Sequence, residues 1–169
     1  VDSGLGSALI QKKNIEKVDI STVFTANIFL SILLFSLLFV SAPFISSYLE
    51  VERFTIFLRV QIITIVLRSL YVIEFSILNR NLRFKELALI NLISSFVSVI
   101  LAIVLAYRGF GVWALIFKNI FMQLILFILY NLKIKVSKSF IFCKKTFYEL
   151  ISFGGFLSLT NFLDFLFSS

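Results

Sequence analysis

Residues 20–49 contain no charged side chain, and neither do residues 87–107. A helix needs about 20 mostly apolar residues to cross a bilayer core of about 30 Å, and both runs reach that length. Only helices and closed barrels satisfy every backbone group in hydrocarbon. Barrel strands alternate apolar and polar residues over about 10 positions, whereas these runs are longer and uniformly apolar. The sequence therefore predicts an all-α integral membrane protein built as a multi-pass transmembrane helical bundle.

Reading along the chain, the first span falls within Ser21–Tyr48, with Pro43 marking its end. The second covers about Phe54–Leu78 and contains Arg59, Arg68 and Glu74. The third is Leu87–Tyr107, and the fourth is Val112–Leu132 with Lys118 inside it. A fifth begins near Leu150 and contains Asp164. Residues 1–10 read as the end of a preceding span, 21–132 as four complete spans, 133–149 as a basic loop and 150–169 as a truncated helix. The chain starts at Val1 and ends inside an apolar run, so both ends read as cut and the chain as a piece of a longer protein.

Only 15% of the residues are charged, against about 25% in soluble domains. The net charge of +7 would suggest a nucleic-acid partner in a soluble protein. Here it sits in loops. Loop 11–19 carries Lys12, Lys13 and Lys17; loop 79–86 carries Arg80, Arg83 and Lys85. Loop 133–149 carries Lys133, Lys135, Lys138, Lys144 and Lys145. The alternate loops hold only Arg53 and Arg108. Basic loops stay on the cytoplasmic side, so these three are expected there and no nucleic-acid partner is needed. Trp113, Tyr48, Tyr107 and Tyr130 lie near span ends, where an aromatic belt places them.

Ionisable groups inside a span are costly and mark functional candidates. Arg59 and Lys118 lie close enough to the outer boundary to snorkel. Glu74 lies about one turn from the inner end, within reach of Arg80 or Lys85. Arg68 lies roughly 20 Å from the outer start of its helix. Gln61, Thr64, Arg68 and Tyr71 follow helical spacing and make one polar stripe. Two readings stand for Arg68: a cation in a translocation cavity, or the partner of a buried carboxylate. Asp164, at a similar depth in the fifth span, is that carboxylate or a coupling-ion site. In the third span Asn91, Ser94, Ser98 and Ala102 form a stripe suited to close helix packing. Gly154-Gly155 permits a bend in the fifth span.

No phosphate-binding loop, HExxH or CxxC pattern occurs, and there is one cysteine and no histidine. A metal site, a cofactor and enzymatic activity are therefore not expected of this segment.

Four stretches occur in order: Gly4-Leu5-Gly6-Ser7-Ala8-Leu9-Ile10-Gln11, Leu78-Asn79-Arg80-Asn81-Leu82-Arg83-Phe84-Lys85, Gly109-Phe110-Gly111-Val112-Trp113-Ala114-Leu115, and Phe153-Gly154-Gly155. Together they resemble the polysaccharide and O-antigen export flippases, the Wzx-type branch of the superfamily (MATE/MOP) that includes the multidrug MATE antiporters. The resemblance implies a two-bundle transporter in which the fourth span closes the first bundle and residues from Leu150 open the second. It implies a bacterial inner (plasma) membrane location and alternating access. The implied partners are membrane lipid and an undecaprenyl-diphosphate-linked oligosaccharide, with polysaccharide assembly proteins as further candidates. It transfers no specific site residue. Competing readings are a MATE-like drug or ion antiporter, in which Asp164 would matter more than Arg68, and a non-transporting scaffold of an envelope assembly complex. A glycan polymerase or ligase would need a long outer loop, and the outer loops are short.

Overall fold

The computed structural model describes residues 5–12, 15–50, 53–136 and 138–149. Seven helices follow one another: α1 (Leu5–Gln11), α2 (Lys17–Leu49), α3 (Phe54–Gln61), α4 (Ile63–Ser69), α5 (Val72–Arg80), α6 (Phe84–Tyr107) and α7 (Val112–Lys133). A helical turn at 144–149 closes the described chain, and no strand occurs among the described residues. α2, α6 and α7 are each long and apolar enough to cross a membrane, and Phe54–Ser69 with Val72–Arg80 makes a fourth, bent span. The architecture is that of an all-α, multi-pass membrane protein. The fifth span, with Gly154-Gly155, Ser158, Asn161 and Asp164, lies outside the described residues.

α2 has 33 residues, which at 1.5 Å per residue is about 50 Å. Its start is set by charge. Glu16 and Asp19 form a reciprocal capping box, in which the Glu16 N–H donates to Asp19 Oδ2 at 2.9 Å. Lys12 Nζ pairs with Asp19 Oδ1 at 2.6 Å. Acidic groups in the first turn also complement the helix dipole. Pro43 does not end this helix: it lies inside it, and α2 continues to Leu49. Proline removes one N–H and the bond to the carbonyl four residues back, which a long packed helix tolerates.

The two tight hairpins use the same device. After α5, the Leu82 and Arg83 N–H groups donate to the carbonyls of Asn79 and Leu78, each at 3.0 Å. After α6, the Gly109 and Phe110 N–H groups donate to Ala106 at 3.0 Å and Leu105 at 3.2 Å. Both are Schellman closures, which put one residue in the left-handed region. Gly109 takes it at φ +82 and Leu82 at φ +53.

Three of the basic segments meet at one end of the bundle. Arg80 Nη1 donates to the carbonyls of Leu9 at 3.1 Å, Ile10 at 3.2 Å and Lys12, closing the C-terminus of α1. Glu86 pairs with Arg83 at 2.5 Å and with Lys133 at 3.4 Å. The α2–α3 and α6–α7 turns lie at the opposite end. There Tyr48 and Tyr107 are fully out on the surface, while Trp113 packs edge-on to Phe57 at 5.2 Å. Tyr130 departs from the expected belt. It is 1% exposed because it stacks inside the bundle.

α6 packs chiefly on α7, and Ser94, Ser98 and Ala102 are its buried small residues. One apolar cluster joins α1, α2 and α5 through Leu9, Val23, Phe24 and Ile73. Another joins α5, α6 and α7 through Tyr71, Leu78, Ile90, Leu126 and Tyr130. Large apolar side chains such as Phe29, Leu92 and Phe96 stay exposed on the helix faces, as in a bundle whose solvent is hydrocarbon.

Candidate functional site

The second span is not the single helix expected over Phe54–Leu78. It bends by 47° between Ser69 and Val72. The Leu70 and Tyr71 N–H groups reach back three residues, to Leu67 and Arg68, both at 3.3 Å, and Tyr71 leaves helical geometry at φ −121, ψ 2. Neither proline nor glycine occurs there. Another recognised cause of a kink is a side chain inserted into the hydrogen-bond ladder, and one is present. Lys138 Nζ donates to the Leu70 carbonyl at 2.6 Å.

Two cavities open beside the bend. One, of about 160 Å³, is lined by α2, α4 and α7 with Asn27, Ser31, Thr64, Arg68, Ser69 and Gln123 among its walls. The other, of about 200 Å³, includes Arg68, Tyr71, Asn91, Gln123 and Tyr130. Arg68 and Gln123 border both. Of the predicted stripe, Thr64 and Arg68 share the first cavity and Arg68 and Tyr71 the second. Gln61 borders neither; α3 ends there, and the Thr64 hydroxyl donates to the Gln61 carbonyl at 2.6 Å.

The polar groups around Arg68 are tied down. Tyr71 donates its hydroxyl to Gln123 Oε1 at 2.5 Å and stacks on Tyr130 with centroids 5.3 Å apart. The Tyr130 hydroxyl accepts from Asn91 Nδ2 at 3.3 Å. Ser31 donates to Ser69 at 3.1 Å, joining α2 to α4. Arg68 itself is exposed, and among the described residues its guanidinium has no ion pair and no hydrogen bond. The expected pairing of Arg68 with Asp164 falls outside the described residues. The arrangement is an open guanidinium beside neutral, pre-oriented amides and hydroxyls within an otherwise apolar bundle. Such a site is suited to an anion.

Glu74 has a different partner from those expected. It is fully buried, and its Oε1 lies 2.5 Å from Lys138 Nζ. Arg80 instead closes α1. Arg59 stacks over Phe39 at 4.4 Å, so it packs on α2 as well as lying near the end of its span. Asn27, Ser31, Ser69, Gln123 and Lys138 were not singled out in the sequence. Gln123 carried a signal, as an uncharged amide midway along an apolar span. Lys138 carried none beyond its charge.

The fold and this cleft together define a multi-pass helical membrane protein with a polar, cation-bearing interior. Residues 1–169 match the polysaccharide biosynthesis protein family, and the chain belongs to that family. No curated protein and no solved structure matches it.

Proposed function

We propose that the chain is part of a flippase that moves lipid-linked oligosaccharide units, carried on undecaprenyl diphosphate, across the bacterial inner membrane for surface polysaccharide synthesis. The observation that carries this reading is the open Arg68 guanidinium at the bend of an apolar span. A cation without a partner among the described residues of a membrane bundle is costly, and a diphosphate would offset that cost while its lipid stays in hydrocarbon. Membership of a polysaccharide biosynthesis family supports the choice of cargo class. Discontinuous helices at the middle of a bundle are a recurring feature of transporters, which supports a transporter over an enzyme. In this reading the bundle is one half of a MATE-like pair, and loops 11–19, 79–86 and 133–149 face the cytoplasm. Asp164 is either the partner of Arg68 in the resting state or a coupling site. Complementation tests the proposal. Expressed in a bacterium that lacks its own polysaccharide flippase, the intact protein should restore surface glycan, and Arg68→Gln should lower export at least about tenfold with membrane levels unchanged. Normal export by Arg68→Gln would remove Arg68 from the mechanism. Drug resistance without surface glycan would favour the antiporter.

A further inference from the structure

The segment after α7 does not hang free of the bundle. Residues 134–136 and 138–143 have no helix or strand, yet they run against α2 and α5. The Cys143 N–H donates to Thr22 Oγ1 at 3.3 Å, and Thr25 Oγ1 donates to the Ile141 carbonyl at 3.4 Å. Phe140 packs on Phe24 with centroids 5.5 Å apart, and Val136 joins the α1–α2–α5 cluster. At the centre Lys138, 14% exposed in its side chain, holds three groups. Its ammonium is 2.5 Å from Glu74 Oε1, 2.6 Å from the Leu70 carbonyl and 5.2 Å from the Phe24 ring centroid.

We propose that Lys138 and Glu74 form a clasp that couples docking of this segment to the bend at Leu70–Tyr71. One ammonium occupies both ends of the connection: the carbonyl at the bend and the only charged group of α5 above Arg80. Buried ion pairs are poor devices for stability alone, and their best-attested uses are registry and switching. This pair is also incompletely satisfied: Oε1 meets the ammonium as an ion pair, and neither Glu74 carboxylate oxygen has a hydrogen-bond partner among the described residues. The remaining hooks are two long side-chain-to-backbone bonds, an aromatic contact and the packing of Val136, none of them charged. When the clasp opens, Leu70 regains an unsatisfied carbonyl, which a straighter helix would take up. Release of the segment and relaxation of the bend are then one event. Because Arg68 and Tyr71 flank the bend, the clasp sets their placement as a positioning pair. The inference does not depend on the cargo proposed above.

The test uses the intact protein in membrane vesicles, with Thr25→Cys introduced one turn along α2 from Thr22, the residue that the native Cys143 N–H contacts, and a short bifunctional maleimide. Linked peptides are counted by mass spectrometry. Lys138→Met and Glu74→Gln should each lower cross-linking about fivefold or more, Lys138→Arg should preserve it, and the double variant should be no worse than either single one, as for two halves of one interaction. In a Cys143→Ser background, spin labels at Ile56 and Asn81 should move apart by a few ångströms in Lys138→Met as the 47° bend relaxes. Unchanged cross-linking in the single variants, or losses that multiply in the double variant, would overturn the clasp. Lost cross-linking with an unchanged spin-label distance would overturn the coupling.

Discussion

At the residue scale, the groups around the bend divide into those held by partners and Arg68, which is open among the described residues. Tyr71 is held on both sides, by Gln123 through its hydroxyl and by Tyr130 through its ring. Tyr71→Phe keeps the stack and strands the Gln123 oxygen, so thermal unfolding in detergent should report a loss of about 1 kcal/mol, the usual worth of an interhelical bond in a membrane. A larger role in positioning Arg68 would appear as lost export without further loss of stability. Outside the spans, Thr146 donates from its hydroxyl and its backbone to Cys143, and these bonds hold the thiol below the usual thiol range. The thiolate is the reactive form. A lowered pKa keeps it populated to lower pH, so the alkylation rate of Cys143 should fall with a midpoint below that of an ordinary exposed thiol. Thr146→Val should move that midpoint back up; an unmoved midpoint would show that the hydroxyl does not act on the sulfur. Arg68 could be found from its depth and charge alone. Its uncharged neighbours Asn27, Ser31 and Ser69 could not, because single small polar residues are common in apolar helices and acquire meaning only when two helices bring them together.

At the scale of elements, apolar runs and turn chemistry locate the helices well. The third and fourth spans begin and end within three residues of the expected positions, since Gly109, Gly111 and the charged 79–86 turn interrupt the runs sharply. The bend in the second span was invisible for a physical reason. No local proline or glycine marks it, and the side chain found at it is a lysine from 68 residues further along. Pro43 shows the converse, a strong local breaker that the long α2 absorbs. The α5–α6 hairpin carries a local cost of its own. Leu82 sits at φ +53 and is 70% exposed, so it gains little from burial while holding a conformation that costs an L-residue about 1–2 kcal/mol. Leu82→Gly should therefore raise stability by about 0.5–1 kcal/mol after the entropy of glycine is subtracted. An unchanged or lowered melting temperature would mean that the Leu82 side chain makes contacts beyond its own turn, with lipid or with a neighbouring segment.

At the scale of the whole molecule, the class was legible from the apolar runs, and the family follows from the match over residues 1–169. The basic loops 11–19 and 79–86 do lie at one end, together with Lys133, as alternating spans require. What the loops did not reveal is that residues beyond Lys133 return into the bundle, because a lysine counted for topology is indistinguishable in sequence from one that pairs with a buried glutamate. In the functions proposed above two cations take two tasks: Arg68 would receive an anionic cargo, and Lys138 would tie the segment after α7 to the bend beside it. The most direct measurement is reconstitution. The intact protein would be placed in liposomes containing a radiolabelled undecaprenyl-diphosphate oligosaccharide, with transfer between leaflets followed by the fraction that an added glycosidase can reach. The account predicts transfer well above that of protein-free liposomes, and its loss in Arg68→Gln. Transfer no faster than in protein-free liposomes, from protein shown to be folded and inserted, would contradict it.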